Sequence, residues 1–94
     1  MTAVKSNTTF EMGQVVITRG ALDELPPFDV WVAINRHANG DWGDLCEEDT
    51  ALNDASVKGE GRLMSRYQTD NGTAFWIITE WDRSVTTILL PLEY

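Results

Sequence analysis

The residues best suited to chemistry are concentrated in one stretch, RHANGDWGDLCEEDTALND, from Arg36 to Asp54. It contains the only histidine of the chain, His37, and the only cysteine, Cys46. After Arg36 it has no positive side chain, and it carries six carboxylates: Asp41, Asp44, Glu47, Glu48, Asp49 and Asp54. These residue types suggest a catalytic pair, a metal site or an acidic surface for a basic partner.

The spacing of these residues gives little support to catalysis or to metal binding. Cys46 and His37 are a nucleophile and a base by type, but the three carboxylates that follow Cys46 disfavour a thiolate there. No H-E-x-x-H, C-x-x-C or calcium-loop pattern joins the ligand types, and no G-x-S-x-G or phosphate-binding glycine loop is present. We therefore predict a protein that is not an enzyme and that uses no metal or cofactor.

An acidic partner surface is the third interpretation of the stretch. Spaced carboxylates can imitate phosphates and occupy a cationic groove. The ordinary alternative is that the carboxylates cap a helix and solvate its surface. Trp42, flanked by glycines, is either an anchor that folds the loop onto this helix or an exposed binding hot spot. The predicted partner-binding residues are Asp41, Trp42, Asp44, Glu47, Glu48, Asp49 and Asp54.

Composition limits the classes of partner. The length of 94 residues predicts one domain over residues 1–94, with residues 1–9 as a flexible lead-in, and a hydrophobic fraction of 43% is typical of a globular protein. A net charge of −8 disfavours direct binding to nucleic acid or to anionic membranes and favours a protein with a basic surface. The lone cysteine, the lack of a signal-peptide pattern and the shortness of the longest apolar run, AFWII, predict a cytoplasmic protein.

The hydrophobic pattern predicts one N-terminal strand and two helices before residue 60. Val15–Ile17 are typical of a short strand. The segment PPFDVWVAINRHANG alternates as a strand would, but it also follows helical spacing, and Asn39-Gly40 suits a helix end. For the second helix the pattern predicts Asp44 as N-cap, with Glu47 three residues later. Its predicted buried stripe consists of Leu45, Leu52 and Ala55.

The C-terminal third has the pattern of an antiparallel meander. RLMSRYQ and TAFWIITEW flank TDNG, whose Asn-Gly pair is a strong hairpin signal, and DRS leads into VTTILLP. The predicted strand faces carry Phe75, Ile77, Val85, Thr87 and Leu89 on one side, and Trp76, Ile78, Ile88 and Leu90 on the other. The predicted fold is α+β: a small antiparallel sheet, with a possible N-terminal strand, packed by one or two helices.

Two blocks of this sequence resemble an uncharacterised family of small bacterial, plasmid and phage proteins. The first block is the GDWGD…EED…ND core, and the second is the WIITE-DRS-TT-LLP end of the chain. The resemblance covers roughly residues 36 to 94. It implies a mobile-element or defence-gene setting, and it implies no catalytic residues.

These observations predict an acidic interaction protein, an inhibitor of the anti-CRISPR or antirestriction kind that binds basic surfaces of a host nucleic-acid-processing complex. One alternative is a housekeeping or regulatory module that binds a partner through an apolar sheet face. A second alternative is a small enzyme that uses His37, Cys46 and nearby carboxylates. Surplus apolar sheet surface also predicts a homodimer, formed through an uncovered face or an exposed edge strand.

Overall fold

A computed structural model of the chain describes residues 10–94, so the prediction of a flexible lead-in lies outside the described residues. The described part has an α+β fold, as predicted, with a four-stranded sheet. Its elements are β1 (Gln14–Ile17), α1 (Arg19–Glu24), α2 (Pro27–Ala38), α3 (Glu47–Val57), β2 (Leu63–Gln68), β3 (Ala74–Thr79), β4 (Val85–Leu89) and a 3-10 turn (Pro91–Glu93). Across these residues, every helix is too short or too polar to cross a membrane.

The sheet is mixed, with strand order β1-β4-β3-β2. The meander of β2, β3 and β4 is antiparallel, as predicted. The predicted N-terminal strand β1 is present, but it pairs in parallel with β4, so the sheet is mixed rather than antiparallel. Three helices and two strands separate β1 from β4 along the chain. No local turn therefore sets the direction of their pairing, and local sequence patterns do not encode it.

The predicted strand faces were wrong for β4. Ile77 pairs with Ile88, and Trp76 pairs with Leu89, so Ile88 shares the face of Ile77 and Leu89 shares the face of Trp76. The turn between β3 and β4 sets this register, because the amide of Glu80 donates to the carbonyl of Val85 at 3.0 Å. A shift of one residue moves every side chain of a strand to the opposite face.

Helices α1 and α2 cover one face of the sheet and form the core with it. The core cluster contains Ala21, Leu25, Ala33, Tyr67, Phe75, Ile77 and Ile88. Helix α2 confirms the helical interpretation of PPFDVWVAINRHANG. Pro27 is its first residue, where no backbone N–H is needed, and Gly40 follows the Asn39 C-cap with a φ of +81°.

Helix α3 begins later than predicted and lacks the predicted apolar stripe. Its first residue is Glu47 and its N-cap is Cys46, without a capping side chain, so the assignment of Asp44 as N-cap was wrong. Leu52 is 66% exposed, whereas Asn53 is buried. The helix is therefore attached to the sheet by the polar side chain of Asn53 and not by the predicted apolar residues.

Candidate functional site

The first turn of α3 and the loop before it present a group of exposed carboxylates. Asp44, Glu47, Glu48 and Asp49 are all exposed. Within residues 10–94 none of these four side chains takes part in an ion pair, since the ion pairs found there are Arg36–Asp41 and Arg62–Glu80. Helix α3 has four carboxylates and no cationic residue between Glu47 and Val57. The four exposed residues Asp44, Glu47, Glu48 and Asp49 are named here the acidic α3 surface. Their negative charge is available to a partner.

The other predicted acidic residues hold the loop together. Asp41 forms a two-pronged ion pair with Arg36, with N–O distances of 2.8 and 3.1 Å. The hydrogen bond from Arg36 holds the pKa of the Asp41 carboxyl below its ordinary value. Asp54 accepts a hydrogen bond of 2.9 Å from the indole Nε1 of Trp42. Both carboxylates thus have structural partners, which distinguishes them from the acidic α3 surface.

Trp42 is a loop anchor, as one of the two interpretations predicted. Only 3% of the residue is exposed, so its ring is not a hot spot on the surface. Its bond to Asp54 joins the loop to α3, and its ring lies 5.4 Å from the ring of His37. Trp42 therefore positions the acidic α3 surface rather than forming part of it.

The loop that contains Trp42 also pairs with the free edge of β2. The amide of Arg66 donates to the carbonyl of Trp42 at 3.0 Å, and the amide of Asp44 donates to the carbonyl of Arg66 at 2.8 Å. On α3, the Asn53 side-chain amide donates to the carbonyl of Met64 at 2.7 Å and accepts from the Met64 N–H at 3.3 Å. These contacts fix α3 against the sheet and occupy the outward-facing backbone groups of Met64 and Arg66.

His37 belongs to a buried chain of hydrogen bonds, and its ring has no exposed surface. Its Nδ1 lies 2.5 Å from the hydroxyl of Ser65, and its Nε2 lies 2.9 Å from the hydroxyl of Thr79. The Thr79 hydroxyl lies 2.7 Å from that of Thr86, which donates to the carbonyl of Met12 at 2.7 Å. The chain of bonds thus joins α2, all three strands of the meander and the residues before β1.

The carbonyl of Met12, at the end of this series of hydrogen bonds, determines which atom donates in each bond. Because Thr86 donates to a carbonyl, its oxygen accepts from Thr79, and Thr79 in turn accepts from Nε2–H of His37. Nδ1 is then the acceptor for the hydroxyl of Ser65. The ring is neutral in this arrangement, and burial lowers the pKa of His37 to about 3.

The structure does not form the predicted alternative of a Cys46–His37 pair. Both ring nitrogens of His37 are occupied by hydroxyls, whereas Cys46 is exposed at the start of α3. In the part of the chain from residue 10 onwards, no three His, Cys, Asp or Glu side chains are grouped as a metal site would require. The hydroxyl residues of this hydrogen-bond network had a signal in the sequence, because Ser65, Thr79 and Thr86 are small polar residues at inward positions of apolar strands.

Sequence reasoning missed an apolar groove beside β1. It has a volume of about 220 Å³ and is lined by Ile17, Leu22, Leu25, Pro27, Val30, Trp31 and Ile34. Trp31 is 62% exposed and Leu22 is 61% exposed, although both are large and apolar. The sequence contained a signal for Trp31, because Trp31 lies on the side of α2 away from the buried residues Ala33 and His37.

The sheet faces themselves offer less free apolar surface than predicted. One face is filled by the core beneath α1 and α2. On the opposite face the ring of Tyr94 packs on Trp76 at 5.4 Å, and the Tyr94 hydroxyl accepts from Arg62 at 2.9 Å.

Comparison with protein-family models, with curated proteins and with solved structures found no match for the chain.

Proposed function

We propose that the chain is a non-enzymatic acidic inhibitor encoded by a phage or mobile element. It acts in the cytoplasm on a host nucleic-acid-processing complex of the CRISPR or restriction kind. The acidic α3 surface binds a basic patch of that complex and obstructs entry of nucleic acid or assembly of the effector. The observation that carries this proposal is the presence, at one end of a fixed helix, of four exposed carboxylates that have no ion-pair partner among residues 10–94.

The attachment of α3 supports this use of its carboxylates. The bonds Trp42–Asp54 and Asn53–Met64 hold the helix against the sheet before any partner arrives. A preformed surface loses less conformational entropy on binding than a flexible acidic tail. The net charge of −8 adds a longer-range attraction to basic surfaces, which raises the rate of association.

Charge reversal tests the proposal. We expect Glu47→Lys/Glu48→Lys to weaken binding to the target complex by roughly tenfold or more, because exposed charge pairs contribute about 0.2–1 kcal/mol each and reversal replaces attraction by repulsion. The measurement is protection of a targeted phage in cells that carry the CRISPR or restriction system, followed by capture of the complex from those cells at low and high salt. High salt should release the captured complex, since exposed charges are screened.

The matched control is Glu60→Lys/Asp70→Lys, which changes net charge equally at exposed positions outside α3. This control should retain protection and capture. Equal losses of protection and capture in the two double variants would show that net charge, and not the position of the carboxylates on α3, accounts for binding. Full activity of Glu47→Lys/Glu48→Lys would refute the acidic α3 surface as the binding site. Asp54 is left unchanged in both variants because it anchors Trp42.

A further inference from the structure

The two edges of the sheet differ in the hydrogen-bond partners that the described part of the chain supplies to their outward backbone groups. At the β2 edge, Asn53, Trp42 and Asp44 supply partners to the outward backbone groups of Met64 and Arg66. At the β1 edge, the residues of β1 are followed directly by Thr18 and α1, and no described segment pairs with the outward side of the strand. An unpaired edge strand is a template for another strand.

The pairing of β1 with β4 shows which backbone groups are open. The amides of Gln14 and Thr18 donate to the carbonyls of Ser84 and Ile88, each at 3.0 Å. Backbone groups alternate in direction along a strand, so Val16 also faces β4, while the N–H and C=O of Val15 and Ile17 face outward. The open edge thus presents one donor and one acceptor at each of two residues.

Side chains at this edge lack the features that usually prevent strand addition. The segment from Gly13 to Thr18 has no charged residue and no proline, in a chain with 22 charged residues among 94. Val15 is 44% exposed and Val16 is 36% exposed. Protective lysines, prolines or bulges are typical of edges that must stay unpaired. A neutral edge also lets two copies of an acidic chain approach without direct repulsion at the contact.

We propose that β1 pairs antiparallel with β1 of a second copy, around a two-fold axis at Val16. In this register Val15 of one copy lies opposite Ile17 of the other, and each pair exchanges both of its backbone hydrogen bonds. The two Val16 side chains lie opposite each other on the face of the sheet away from α1 and α2. The edge is self-complementary, since each open donor finds an open acceptor of the same strand.

The apolar groove beside β1 fits the same arrangement. The two-fold axis is perpendicular to the continuous sheet, so the α1–α2 layers of both copies lie on one side of it. Ile17 lines the groove and belongs to the paired strand, so the groove borders the contact directly. Trp31 and Leu22, exposed in the single chain, then face the other copy across the axis. Burial of these side chains adds apolar area to the backbone pairing.

This inference is independent of the proposed function, because the acidic α3 surface lies at the opposite edge of the sheet, against β2. The test uses the full chain with substitutions at Val16, whose side chain is exposed and not part of the core cluster. Val16→Lys alone and Val16→Glu alone each place like charges opposite each other across the axis. Each should raise the dimer dissociation constant by roughly tenfold or more, measured by sedimentation equilibrium.

Mixing the two variants should restore the dimer as a heterodimer. The introduced lysine of one copy then faces the introduced glutamate of the other, which happens only if the axis passes through this position. Val16→Thr is the matched control and should dimerise as the unchanged chain does. A chain that stays monomeric at the highest soluble concentration overturns the proposal. Dimers of unchanged affinity in both charged variants also overturn it, since they place the interface elsewhere.

Hydrogen exchange provides a second readout that needs no variant. In the dimer, the amides of Val15 and Ile17 should become protected with rising protein concentration, while the amide of Val16 is protected at all concentrations by its bond to β4. Protection of Val15 and Ile17 in a monomer would show that a segment of the same chain covers the edge. Rapid exchange of both amides in a dimer would show that β1 is not its interface. Either result refutes the proposed pairing.

Discussion

Replacement of Gly43 by alanine is expected to lower the free energy of unfolding by about 3–4 kcal/mol, because two costs coincide there. Gly43 has a φ of +77°, in the left-handed region that residues with a Cβ rarely adopt. A Cβ at this position would also lie 2.0 Å from the carbonyl oxygen of Arg66 and 2.8 Å from the ring of Tyr67. The loop must then leave β2, which breaks its bridge to Arg66. Denaturant titration followed by tryptophan fluorescence measures the loss.

Two other glycines separate the contributions of strain and contact. Gly72 has a φ of +92° but open space around its Cβ position, so Gly72→Ala should cost only about 1–2 kcal/mol. Gly59 has neither a left-handed φ nor a neighbour within 4 Å, and Gly59→Ala should stay within about 0.5 kcal/mol of the unchanged chain. Equal losses at Gly43 and Gly72 would contradict the assigned clash with β2.

Acidification is expected to destabilise the chain through His37. The unfolded chain takes up a proton on this imidazole near its ordinary pKa of 6.5, whereas the folded chain does so only near the lowered pKa of about 3. Between these pH values the unfolded state binds more protons, so stability falls as the pH decreases through this window. The slope reaches about 1.4 kcal/mol per pH unit. Well above pH 6.5 His37 is neutral in both states, and its contribution to the slope disappears.

His37→Gln isolates this contribution. The variant keeps the carboxylates whose pKa values are lowered on folding, Asp41 among them, and these also destabilise the chain at low pH. It lacks only the buried imidazole, so its stability should fall less steeply between pH 6.5 and pH 4 than that of the unchanged chain. Thermal unfolding at a series of pH values supplies both curves. Parallel curves would show that His37 takes up its proton equally easily in both states.

Local patterns predicted the elements whose boundaries are set by nearby residues. The prolines before Phe28 and the Asn39-Gly40 pair enclose α2 as expected. The turn between β2 and β3 includes Asn71-Gly72, with the Gly72 amide donating to the carbonyl of Thr69 at 2.9 Å. The start of α3 was not predictable in this way. The backbone of Asp44 is held by β2, at a distance of more than twenty residues along the chain, which removes Asp44 from the N-cap position.

The polar contacts of the candidate site depend on tertiary structure in the same way. The acidic α3 surface could be identified in part from its carboxylates, but nothing local distinguishes Asp54, which binds Trp42, from Glu47, which binds no described side chain. The network around His37 joins residues from five parts of the chain: Met12, α2, β2, β3 and β4. Its members were visible only as small polar residues in apolar strands, and their pairing required the strand register.

The closed edge at β2 has a consequence for how far association can proceed. A sheet with two open edges can recruit copies without limit and grow into a fibre. In this chain the side-chain amide of Asn53 and the backbone around Gly43 already occupy the β2 edge. If β1 pairs as proposed, it uses the other edge of the four-stranded sheet in residues 10–94, so the assembly would terminate at two copies. Substitutions that release the loop from β2, Gly43→Ala among them, would create a second growing end and convert a closed pair into a polymerising one.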